Sequence, residues 1–122
     1  MVAKKSNEFD GFYSAYSTGI AGSSFGMFVF KDGIISGSDV GGGNYSGNFV
    51  ISEDGRDLSG KVIFTIPIGQ QTITGTAATT EPITFEVPFQ LPTEINRNDV
   101  HRIETPAGPI NMKFEKLRGF NE

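Results

Sequence analysis

Residues 31–49 read KDGIISGSDVGGGNYSGNF, a run crowded with glycine at positions 33, 37, 41, 42, 43 and 47. Two chemistries use such clusters. Bare backbone N–H groups can cradle a phosphate, or glycines can supply the tight turns and close approaches of a bent β protein. A phosphate loop needs its glycines to end in Gly-Lys-Ser/Thr at the start of a helix. Here they run into NYSGNF, which alternates as a strand does and holds no Lys. A dinucleotide fingerprint fails as well, because no βαβ setting surrounds the run. The turn reading follows. Gly41 to Gly43 are expected to form a turn, while Gly37 and Gly47 allow strand coiling or close packing in a small barrel. Asp39 is placed to accept the turn's free N–H groups, so its loss should cost stability.

Working outward, the apolar residues repeat with period two, the pattern of half-buried strands. ITFEVPF sets Ile83, Phe85, Val87 and Phe89 against Thr84, Glu86, Pro88 and Gln90. INMKFEK does the same with Ile110, Met112 and Phe114, and KVIFTIPI groups Val62, Phe64, Ile66 and Ile68. Asp-Gly pairs at 32–33 and 54–55 are strong hairpin signals, and TPAG at 105–108 and TGIAGS at 18–23 mark further turns. Strands are expected near 9–17, 24–31, 34–39, 44–52, 57–67, 71–77, 82–90, 99–105 and 109–117. LPTEINRND, between the last two pairs of strands, could hold one helical turn. A meander of this kind tends to close, because closure removes exposed edges. The expected fold is all-β, an antiparallel up-and-down barrel of about eight strands.

The chain of 122 residues has 16 Gly, 11 Phe, no Trp and no Cys. Its length fits one domain over 1–122, with 1–8 a flexible N-terminal segment. A net charge of −4 argues against direct nucleic-acid binding. The lack of cysteine excludes a disulfide framework and a thiolate metal site. MVAKKSNEFDG has no apolar stretch behind its basic residues, and no run approaches a membrane span. A cytoplasmic protein is expected.

Candidate sites are few. His101 is the sole histidine and has no evident partner, so neither a metal site, a cofactor nor an enzyme is expected. Glu53, Asp54 and Asp57 sit around a hairpin turn, where the plain reading is a solvated turn and the sharper one a docking contact for a basic partner. The aromatic residues either fill the barrel or line a pocket for one apolar ligand. Candidate lining is Tyr16, Phe25, Met27, Phe64, Phe85, Phe89 and Phe114. In FGMFVF both faces are apolar, which predicts cover on two sides, one by the barrel interior and the other by a partner subunit or an overlying segment.

The order of DGFYSAYSTG, GMFVFKDGIISGSD and NYSGNF resembles the GrlR-type negative regulators of bacterial type III secretion. The matching positions are Asp10, Gly11 and Tyr13; Gly33, Ile35, Gly37 and Asp39; and Tyr45 and Gly47. The resemblance covers roughly residues 9–60. It implies a lipocalin-like barrel that dimerises, has an apolar interior able to take a lipid-like ligand, and inhibits a transcriptional activator through a surface acidic run. The corresponding place here reads SEDGRD, where Gly55 and Arg56 interrupt the run after Glu53 and Asp54.

Overall fold

The computed structural model describes residues 8–121. The expected N-terminal segment therefore lies, apart from Glu8, outside the described residues. Eight strands follow in order: β1 (Gly11–Gly19), β2 (Gly22–Lys31), β3 (Ile34–Asp39), β4 (Asn44–Ile51), β5 (Asp57–Ile66), β6 (Ile83–Pro92), β7 (His101–Thr105) and β8 (Gly108–Gly119). They form one antiparallel sheet in the order β6-β5-β4-β3-β2-β1-β8-β7. The sheet curls into a nearly closed up-and-down barrel whose seam lies between β6 and β7.

Local chemistry accounts for the path. Asp32 and Gly33 both take positive φ, 52° and 80°, and join the Lys31–Ile34 pair as a two-residue hairpin turn of the primed type. The buried Asp10 carboxylate accepts the Asp32 N–H at 3.0 Å, which ties this turn to the start of β1. The Tyr13 hydroxyl donates to the Phe9 carbonyl at 2.5 Å and so holds the residues before β1 across the barrel's end. A bulge in β8 opposite Phe12 and Tyr13 lets that long strand bend around the wall. Pro88 and Pro92 lie in β6, where a strand at the seam can lack N–H donors on one edge.

Two elements depart from expectation. Residues 71–77 are not a strand but part of the long β5–β6 loop, with one isolated Gln71–Ala77 bridge. Thr72 is the reason: its N–H reaches the Thr76 carbonyl at 2.8 Å and its hydroxyl accepts the Thr76 N–H at 3.0 Å. Gly75, at φ 101°, closes this local loop, so side-chain hydrogen bonding outcompetes the ladder. LPTEINRND holds no helix; Leu91 and Pro92 belong to β6, and only a turn follows at 97–98.

The core fills one end of the barrel. Phe9 stacks on Tyr13 with ring centroids 5.2 Å apart and meets Phe30 edge-on at 5.2 Å, while Phe49 lies 5.5 Å from Phe30. Leu58, Leu91 and Ile35 are buried with them. Rings this large fit because inward positions between them hold glycine. Gly37 of β3 pairs with Phe28 on one side and Tyr45 on the other, and those two rings meet at 4.8 Å. A Cβ on Gly37 would lie 2.5 Å from the Met27 carbonyl oxygen and 2.7 Å from Phe28 Cδ1. Gly37→Ala should therefore destabilise the barrel by about 1–3 kcal/mol, the cost of overpacking, read as a lower urea midpoint with an unchanged m-value. An unchanged midpoint would show that the strand relaxes freely there.

Candidate functional site: an apolar cavity with a polar mouth

In an up-and-down barrel, alternate connections gather at the same end. The β1–β2, β3–β4, β5–β6 and β7–β8 connections stand opposite the aromatic plug, and between them lies a cavity of about 240 Å³. Its floor and walls come from inward positions, among them Phe28, Phe30, Val62, Phe64, Val87 and Met112. The mouth is polar, bordered by Ser17, Ser24, Asp39, Gln70, Thr72 and Thr105.

The β5–β6 loop crosses this mouth. β5 and β1 stand four places apart in the eight-stranded order, hence on facing walls. The loop nevertheless reaches the β1–β2 turn, where the Ala21 N–H donates to the Ile73 carbonyl at 2.7 Å. Ile73, Thr72 and Thr74 thus stand over the opening as part of the lining.

Asp39 organises the rim beside it. Its Oδ1 accepts N–H groups from Gly41 at 3.0 Å and Gly43 at 2.9 Å, the role expected from sequence, and its Oδ2 accepts the Tyr45 hydroxyl at 2.7 Å. Gly42 supplies the turn's positive φ of 84°. The Tyr45 ring stacks on Phe64 at 4.6 Å, and Phe64 on Phe85 at 6.4 Å, which forms an aromatic wall along β4, β5 and β6.

Of the seven lining candidates named from sequence, Phe64, Phe85, Phe89 and Phe114 line the cavity. Tyr16, Phe25 and Met27 do not: they point outward, 49%, 48% and 46% exposed. Tyr16 pairs with Phe25 on the outer surface, and Phe28 and Phe30 take the interior positions of β2. Cover on the outer face is partial. Phe120 packs on Phe12 at 4.8 Å with the Lys31 ammonium 4.4 Å from its ring, but Phe25 and Met27 stay open to solvent.

The acidic turn is engaged with itself. Asp54 Oδ1 accepts the Ser52 hydroxyl at 2.6 Å and the Arg56 N–H at 3.0 Å, and these bonds hold its carboxyl below the ordinary aspartate value. Glu53 is exposed, and Asp57 opens β5 with its N–H on Ser52 Oγ at 3.1 Å. His101 lies half-buried at the start of β7, 5.9 Å from the Phe114 ring, with Nε2 buried and unpaired among the described residues. Among the described residues no three His, Cys, Asp or Glu side chains are placed to hold a metal ion. No helix there is long and apolar enough to cross a membrane.

Comparison with family models, curated proteins and solved structures found no match to this chain.

Burial first, and then the Asp39 hydrogen bond, raise the Tyr45 phenol above its ordinary value of 10.0. Burial and the nearby Asp10 charge raise Tyr13 in the same direction. The folded state then keeps protons that the unfolded chain releases, so this stability is complete below pH 10.0 and declines as the pH rises further. Urea midpoints should fall between about pH 9 and about pH 11, and Tyr45→Phe should shrink that fall relative to wild type. An equal fall in the variant would mean that Tyr45 ionises freely in the folded protein.

Proposed function

We propose that this protein is a binding barrel for one compact apolar molecule, held in the cavity between the aromatic plug and the β5–β6 loop. The observation that carries this reading is the hollow interior itself: with so many large rings available, the barrel is packed at one end only. For scale, a closed apolar cavity of about 150 Å³ holds a benzene ring. By that scale 240 Å³ suits roughly ten non-hydrogen atoms, a compact molecule and not a long-chain lipid.

Naphthalene is a probe of suitable size. Added to the wild type, it should raise the thermal midpoint and shift the methyl resonances of Ile103 and Met112, both of which line the cavity. Val87→Trp, which fills the space from β6, should abolish both effects. A wild type that shows neither response would refute the proposal.

A second reading, regulation by protein contact, draws on the outer surface of β1 and β2. The exposed Tyr16, Phe25 and Met27 support it, since a run of large apolar side chains on one face suits a protein interface. The acidic turn supports it less, because the Asp54 carboxylate already serves its own hairpin. On this reading the chain is a dimer in solution, and a basic segment of a transcriptional activator is one candidate partner for Glu53. Sedimentation should then give a dimer for wild type and a monomer for the Phe25→Asp, Met27→Asp double variant. A monomeric wild type at high concentration removes the self-association.

A further inference from the structure

The rim beside Asp39 narrows the chemistry of the guest, an inference that rests on the cavity being a binding site. Among the described residues that line the cavity Asp39 alone carries a charge, and none of them is Lys or Arg. A carboxylate or phosphate headgroup would meet this carboxylate with no cation to offset it. The opposite charge finds a ready partner. A carboxylate offers about four lone-pair sites. Gly41 and Gly43 occupy those of Oδ1 and the Tyr45 hydroxyl takes one on Oδ2, which leaves one acceptor position on Oδ2.

The surroundings suit a cation as well. Tyr45, hydrogen-bonded to Asp39, opens the stacked row that continues through Phe64 to Phe85, and Phe28 lies 4.8 Å from the Tyr45 ring. Aromatic faces attract ammonium groups through the negative potential over the ring, and more strongly where water is scarce. Two N–H groups of the turn and the Tyr45 hydroxyl of β4 hold the carboxylate in place, so little ordering remains to be done when a ligand arrives. We infer that the cavity selects a small organic amine in its protonated form, with the ammonium at Asp39 and the apolar body along the aromatic wall.

Three probes of similar size separate the possibilities: 2-phenylethylammonium, propylbenzene and phenylacetate, titrated near neutral pH by calorimetry and by methyl NMR. The amine should bind at least about tenfold tighter than the hydrocarbon, the scale of one charge-assisted hydrogen bond, and phenylacetate should bind weakest. Asp39→Asn keeps an acceptor for the turn and removes the charge. It should bring the amine down to the level of propylbenzene while propylbenzene itself binds as before. Equal binding of amine and hydrocarbon to the wild type would overturn the amine preference and leave the cavity reading standing. No binding of any probe would overturn both. Should Asp39→Asn not fold, the wild-type series decides alone.

Discussion

The contact of Phe28 with Tyr45 across Gly37 sets the terms for this barrel. An eight-stranded barrel has an interior just wide enough to be filled by side chains or to hold one small ligand. Glycine separates several of the large inward side chains that stand on alternate strands. Phe28 and Tyr45 lie on strands either side of Gly37, Ile35 and Val62 either side of Gly47, and Phe49 and Phe89 either side of Gly60. A Cβ on Gly47 or Gly60 would run into the neighbouring strand's backbone. These glycines leave room for the large side chains on either side to reach into the interior.

The interior has two parts. Towards the β2–β3 turn, Phe9 enters from outside the sheet and completes a plug with Tyr13, Phe30 and Phe49. Towards the β3–β4 turn no such ring enters among the described residues, and the rings of Tyr45, Phe64 and Phe85 line a wall instead of closing a core. The Asp39 carboxylate sits where that wall meets the rim. Its hydrogen bonds shape the turn, and its charge gives the mouth a polarity that the apolar floor lacks.

Much of this was legible in the residues. The Asp-Gly turns, the alternation in β6 and β8 and the part played by Asp39 at its turn are all local signals, and the structure follows them. The interior face of β2 was harder, because FGMFVF is apolar on both sides. The deciding signal lay one strand away. With a two-residue turn at Asp32–Gly33, Val29 stands opposite Ser36 and Met27 opposite Ser38, whereas Phe30 faces Ile35 and Phe28 faces Gly37. The serines mark the outer face, so register resolves what periodicity alone leaves open. The β5–β6 loop misled for a different reason: TITGTA has β-branched residues in alternation, yet its threonine hydroxyls bond locally. The contacts of Asp10 and Phe9 had no local signal, since Asp10 bonds the turn at Asp32 and Phe9 packs on Phe30 and Phe49 across the barrel end.

The position of the seam bears on the chain's connectivity. Every ladder joins strands consecutive in sequence except β1 with β8, where Gly11 stands opposite Gly119. The beginning and end of the barrel are thus neighbours in the middle of the sheet, while its two free edges belong to β6 and β7, which follow one another in the chain. A circular permutant that links the ends and opens between 93 and 100 would run β7, β8, β1 through β6, so that sheet order and chain order coincide. The one long-range closure would become a hairpin, and the contact order, which governs how slowly such a topology assembles, would fall.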